Sequence, residues 1–165
     1  MAKTTGNKEL EAIVKAAVEK HGKRAEAFVP ILLEINHENG YIPREAIRLT
    51  RQFLHEPEEP MLVSEGQLYG LASFYQMLNT EKTGRHLVRF CESAPCHVEG
   101  GRELWKAIQK TLGISDGETD RAGRFTLQRV SCLGLCAIGP VLVIDEDVHG
   151  QVCAEKLKRI FARYE

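Results

Sequence analysis

The chain has 165 residues, 43% of them hydrophobic and 27% charged, with a formal net charge of −1. That length fits one medium domain or two small ones. Residues 1–79 carry 9 Lys+Arg against 11 Asp+Glu, and residues 80–165 carry 13 against 12. Neither part has the positive excess that phosphate neutralisation needs, which excludes nucleic acid as a main partner. The start has no apolar signal core and no stretch is long enough to cross a bilayer, so a cytoplasmic protein without direct membrane insertion is expected. Five cysteines are an odd number and fit a disulfide framework poorly.

Residues 7–79 read as helices. Leu10, Ile13, Val14, Ala17 and Val18 form one apolar stripe over Asn7–His21, with Asn7 as the expected N-cap and Gly22 just past the end. Phe28, Ile31, Leu32 and Ile35 mark a second helix that ends at Gly40, with Pro30 in or near its first turn. Pro43 starts a third helix through about His55. Glu56-Pro-Glu-Glu-Pro60 reads as a solvated acidic connector. Ser64-Glu-Gly-Gln67 has capping-box form and opens a fourth helix, with Leu68, Leu71, Ala72 and Tyr75 on one face. Short amphipathic helices must bury their faces on one another or on the rest of the chain.

The polar stretch Asn79–Arg85 marks a domain boundary, giving a helical domain at 1–79 and a second domain at 80–165. His86–Cys91 reads as a strand and Glu99–Leu112 as a helix with Leu104, Trp105, Ile108 and Leu112 inward. A turn-rich loop, Ser115–Gly123, precedes a strand at Arg124–Val130. Val141–Ile144 reads as a buried strand that pairs with Val148–Val152 as a hairpin, and Ala154–Tyr164 as a closing helix. The order β-α-β-β-β-α implies a small α/β sandwich behind the helices, an α+β chain overall.

The chemistry concentrates in two cysteine pairs, Cys91-x4-Cys96 and Cys132-x3-Cys136, separated by 35 residues. Each pair leaves a strand and enters a loop. If the two strands are neighbours, both pairs reach one edge of the sheet, and each can hold one iron of a [2Fe–2S] cluster. Such a centre is negatively charged, so it needs N–H donors and few nearby carboxylates. Ser131–Ile144 contains no charged residue, and Glu92, the one carboxylate between paired cysteines, should point to solvent. Gly134 and Gly139 let the backbone turn its amides toward sulfur, and a helix after Cys96 should aim its N-terminus at the site. Leu133, Leu135, Ala137 and Ile138 would exclude water. Spacing alone leaves a four-cysteine zinc site open, as a zinc-stabilised interaction or regulatory module without redox activity.

Several stretches then resemble a known family, the small [2Fe–2S] subunit of the NADH-oxidising module of respiratory complex I. That family includes related subunits of NAD-linked hydrogenases and formate dehydrogenases. The resemblance rests on Pro30-Ile-Leu-Leu-Glu34, Gly40-Tyr-Ile-Pro43 and Tyr69-Gly-Leu-Ala-Ser-Phe-Tyr75 in the helical part. In the second half it rests on Cys91-x4-Cys96-His97, Leu112-Gly-Ile114, Gly117-Glu-Thr119, Gly123-Arg-Phe-Thr-Leu127, and Cys132-Leu-Gly-Leu-Cys136 with Gly139-Pro140. It implies a thioredoxin-like [2Fe–2S] ferredoxin domain behind an N-terminal helical bundle. It also implies one [2Fe–2S] cluster held by Cys91, Cys96, Cys132 and Cys136, with FMN and NAD(H) only on a partner subunit. The implied partner is a flavin-containing, NADH-binding iron–sulfur subunit, with further oxidoreductase subunits beyond it. Cys153 departs from the family, which commonly starts its last helix with a residue such as Thr.

The remaining residues carry plainer expectations. His97 serves local packing or a hydrogen bond near the site. His21, His37, His55, His86 and His149 read as surface or rim residues, Cys153 as a free thiol and Trp105 as core. Phe74 and Tyr75 face either a partner or the other domain. Gly139–Pro140 is expected in the trans form. No glycine-rich phosphate-binding motif occurs, so the chain should not bind NADH or flavin alone. The reading is a one-electron carrier subunit of an NAD(H)-dependent oxidoreductase complex, with no catalytic residue of its own.

Overall fold

The computed structural model describes residues 6–55 and 63–164. The acidic connector Glu56–Pro60 lies outside the described residues. The chain divides into two compact units, Met1–Lys82 and Thr83–Glu165. Among the described residues no helix is long and apolar enough to cross a membrane.

The first unit is helical: α1 (Asn7–His21), α2 (Phe28–Asn39), α3 (Arg44–Leu54) and α4 (Glu65–Phe74). Its core gathers the predicted stripes, with Val14, Ala17, Ile31, Leu32, Ile35, Leu54, Leu68 and Ala72 buried together. The Gly6 carbonyl accepts from the backbone N–H groups of Glu9 and Leu10, so the N-cap is Gly6 and Asn7 is the first helical residue. α2 ends where predicted, because Gly40 takes the left-handed conformation that closes a helix (φ 86°). The Ser64 cap of α4 forms as a full capping box with Gln67. Asn36 binds the chain beyond α4, accepting from the Asn79 amide at 2.9 Å and donating to the Met77 carbonyl.

The second unit is a four-stranded sheet in the order β2-β1-β3-β4: β1 is His86–Cys91, β2 Phe125–Val130, β3 Leu142–Ile144 and β4 Asp147–His149. β1 and β2 are parallel, and the other pairings are antiparallel. Parallel neighbours need a long crossover. Here it contains α5 (Ala94–Cys96) and α6 (Arg102–Leu112). Alternation along the strands turns Val88, Phe90, Phe125, Leu127, Leu142 and Ile144 into one core, where they meet Leu104 and Ile108 of α6. The closing helix α7 (Ala154–Phe161) adds Leu157, Ile160 and Phe161 to it. Trp105 packs against this core and stacks on Phe90 with ring centroids 5.5 Å apart.

Four further local expectations change. The helix expected from Glu99 starts at Arg102, and a separate helical turn begins earlier, at Ala94. Gly100, at φ 95°, breaks the two apart. β4 falls at Asp147–His149 rather than Val148–Val152, because Asp145 makes the hairpin turn at φ 55°. The Gly139–Pro140 peptide is cis. His86 and His149 are also more than surface residues. His86 Nδ1 lies 2.7 Å from Asp145 Oδ2, and His149 Nε2 lies 2.9 Å from the Tyr164 hydroxyl.

The Tyr164 hydroxyl donates to Asp147 at 2.7 Å, tying the C-terminus to β4. Burial, and then the Asp147 carboxylate, push its pKa up to about 12. Burial lowers the pKa of His149. The folded chain therefore holds the tyrosine proton more tightly than the unfolded chain does. That stabilisation is complete below the unfolded value of about 10 and is lost as pH rises toward 12. The neutral His149 contributes above its unfolded value of about 6.5 and less as pH falls below it. Chemical unfolding followed against pH should show stability declining between about pH 10 and 12, with Tyr164→Phe flattening that alkaline slope.

Candidate metal centre

The sequence of β1 ends in Cys91, and the sequence of β2 ends at Val130, two residues before Cys132. Their parallel register pairs Cys91 with Val130. Both cysteine loops therefore leave the sheet at the same end. The Glu92 amide donates to the Val130 carbonyl at 3.1 Å, which continues the ladder one step beyond the strands.

The two pairs differ in exposure. Cys91 and Cys96 are buried, whereas Cys132 and Cys136 are exposed, and all are free thiols. Cys96 closes the single helical turn α5, whose N-cap is Ser93, and the helix expected after it is α6, which starts at Arg102. The sulfurs of Cys132 and Cys136 are 3.7 Å apart. Two thiolates on one tetrahedral metal, with bonds of about 2.3 Å, stand about 3.7 Å apart. Cys91 and Cys96 are in side-chain contact. Among the described residues no group of three or more His, Cys, Asp or Glu side chains converges tightly enough for one ion. The donors are arranged as two pairs.

Backbone amides surround these sulfurs. Burial alone would push the Cys91 thiol up, but N–H groups of Ser93 and Leu133 donate to it and the net direction is down. The Leu133 contact crosses from the second loop to the first. Burial pushes Cys96 up, although the Val141 N–H donates to it. Gly134 N–H donates to Cys132 Sγ at 3.3 Å, from a backbone at φ 77°. Contact with Cys132 raises Cys136. Charge on Cys136 also raises Cys96, and charge on Cys91 raises Cys136, so the pairs lie within electrostatic reach of each other. Amide donors and repulsion between thiolates suit a cationic metal core with negative total charge.

The ligand loops are held from behind. A Cβ on Gly101 would stand 2.6 Å from the Cys96 carbonyl oxygen, so α6 can approach α5 only with glycine there. A Cβ on Gly139 would lie 3.5 Å from Cys96 Sγ. Gly150 packs closely on Ile138, and the Gln151 and Val152 amides donate to the carbonyls of Ile138 and Pro140. The segment expected as a strand partner thus braces the second cysteine loop.

The other candidates sort out plainly. Glu92 is exposed and pairs with Arg129 at 3.3 Å. His97 is exposed, with Nε2 3.4 Å from Arg102 Nη2. Cys153 is the N-cap of α7 and exposed. Phe74 is 76% exposed. Sequence reasoning missed the roles of Gly101 and Arg129. Gly101 followed another glycine inside a predicted helix, which was the available signal. Arg129 gave none, because its partners are distant in sequence.

A parallel-containing sheet with helices feeding one core, and two cysteine pairs delivered to one end of it, defines an α/β domain that carries a four-thiol site. Residues 14–165 match the thioredoxin-like [2Fe-2S] ferredoxin family, and the chain belongs to it. It is 32% identical to the E subunit of NADH-quinone oxidoreductase from Escherichia coli strain K12 over 160 residues, covering 94% of this chain and 92% of that protein. It is 32% identical to an NADH-quinone oxidoreductase E subunit from Rhizobium meliloti strain 1021 over 151 residues, covering 92% of this chain and 86% of that protein. The fold also aligns with the crystal structure of an NAD+-reducing [NiFe]-hydrogenase in its H2-reduced state. That alignment has a TM-score of 0.67 at 17% identity and covers 87% of this chain but 23% of the hydrogenase chain.

Gly101→Ala should destabilise the chain by about 1–3 kcal/mol in denaturant unfolding, because the new methyl meets fixed backbone. Gly70→Ala, on an open helix face with nothing within 4 Å of the new carbon, should not destabilise it.

Proposed function

We propose that this chain is a one-electron carrier subunit of an NAD(H)-dependent oxidoreductase complex. Cys91, Cys96, Cys132 and Cys136 hold one [2Fe–2S] cluster, two thiolates per iron, within the domain at 80–165. The helical domain at 1–79 accompanies it. The observation that carries the reading is the delivery of two thiol pairs to one end of the β1–β2 ladder in a chain of this family. When bound, such a cluster supplies a site that gains or loses a single electron.

The chain's own residues supply the surroundings. Amides of Ser93, Leu133, Gly134 and Val141 face the sulfurs and favour added negative charge. Cys91 and Cys96 are buried, while Cys132 and Cys136 meet the surface, so one side of the site is open to a partner. The relatives named above are subunits of NADH-linked complexes, and their names support a partner of the same kind here. That partner is a flavin-containing, NADH-binding subunit whose FMN divides a two-electron hydride into single electrons. The complex works in the cytoplasm or on the cytoplasmic face of a membrane. The isolated chain carries no phosphate-cradling glycine motif, so it oxidises no NADH by itself.

Anaerobically prepared full-length chain should contain two irons and two acid-labile sulfides, show a visible spectrum that dithionite bleaches, and leave NADH unoxidised. Zinc with no sulfide would instead establish the four-cysteine structural module.

A further inference from the structure

Arg129 lies on β2, one residue before the position paired with Cys91. Its side chain is 44% exposed, yet it is held by two carboxylates and an aromatic ring. Its backbone amide donates to Asp116 Oδ1 at 2.8 Å and its Nε to Asp116 Oδ2 at 2.9 Å. Its guanidinium sits 5.3 Å from the centre of the Trp105 ring, which itself stacks on Phe90. Nη1 then reaches Glu92 Oε2 at 3.3 Å. Arg129, Glu92, Trp105 and Cys91 line one cleft of about 240 Å³. Asp116 and Trp105 fix the guanidinium from two sides, and the fixed guanidinium holds the Glu92 carboxylate in the cleft that Cys91 also lines.

We propose that Arg129 is a positioning residue that sets the reduction potential of the site by restraining Glu92 and offsetting its charge. This rests on the ligand assignment above. One-electron reduction adds one negative charge, and a carboxylate one residue from a ligand opposes it. Glu92 is the only carboxylate between paired cysteines. Arg129 is the cation paired with it. Removing the arginine exposes the opposition, and removing the glutamate relieves it. Both side chains are about half exposed, so the effect is screened and should shrink as salt rises.

The test is a spectroscopic redox titration of full-length, cluster-loaded Arg129→Gln, Glu92→Gln, the double variant and Arg129→Lys. At the parent's midpoint potential, Arg129→Gln should lower the reduced-to-oxidised ratio about three- to tenfold, a fall of about 30 to 60 mV. Glu92→Gln should raise it, the double variant should return near the parent, and Arg129→Lys should keep most of the parent value. Opposite shifts that cancel are not produced by general loosening of the fold. Unchanged potentials in both single variants, with clusters retained, would overturn the proposal. If Arg129→Gln does not retain its cluster, Glu92→Gln decides alone, and an unshifted or lowered potential there overturns it. Iron and sulfide content of the parent chain is measured separately, so failure of the ligand assignment is distinguishable from failure of this proposal.

Discussion

Everything at the candidate site depends on the parallel pairing of β1 with β2. A residue's place along a strand fixes where its neighbours leave the sheet. With Cys91 opposite Val130, the chain exits both strands at the same level. The pairing survives only because the crossover between the strands buries Leu104 and Ile108 on the same sheet face as Val88, Phe90 and Leu127. The 35 residues between the cysteine pairs are therefore the length of that crossover and of β2, not a spacer of arbitrary size. A one-residue slip in register would send the apolar side chains to the wrong face, so the core and the site are specified together.

The two loops are supported differently. Cys96 sits in a helical turn clamped by the contact between its carbonyl and Gly101. The second loop runs over the surface and is braced by amides of Gln151 and Val152. The Leu133 amide joins the loops by donating to Cys91. Buried sulfurs on one side and exposed sulfurs on the other give the site a protected back and an accessible front. That asymmetry suits a conductor that must exclude water and still come close to a donor.

Much of this architecture was legible in the sequence. Helix stripes such as Leu10 to Val18 and the capping box at Ser64 are local signals, and the helices follow them. Strand identities were legible from β-branched and aromatic runs. The misreadings arise where a nonlocal contact decides. Gly100 and Gly101 look like a weak stretch of one helix, yet the close approach of α6 to α5 breaks it there. Val148–Val152 alternates like a strand, but Asp145 turns the chain early and leaves Gln151 and Val152 to bind the Ile138 and Pro140 carbonyls. The cis form at Pro140 has no sequence signal beyond the proline itself. The thiol pairs were visible at once. Their amide donors and the Arg129 clamp were not, because those contacts join residues far apart in the chain.

In the proposed role the unit of function is an assembly rather than the chain, a reading supported by membership of the thioredoxin-like [2Fe-2S] ferredoxin family and by the NADH-quinone oxidoreductase E subunits among its relatives. Within that assembly the residues near the sulfurs have an electrostatic task. In that role they would make one extra electron tolerable in a site already rich in thiolate. In the proposed site Cys91 and Cys96 would hold one iron of the cluster and Cys132 and Cys136 the other. X-ray absorption at the iron edge of the oxidised full-length chain tests it most directly. A first shell of sulfur alone, together with a short iron–iron vector, is the predicted result. A nitrogen or oxygen ligand in that shell, or a lone metal without a metal neighbour, would contradict it.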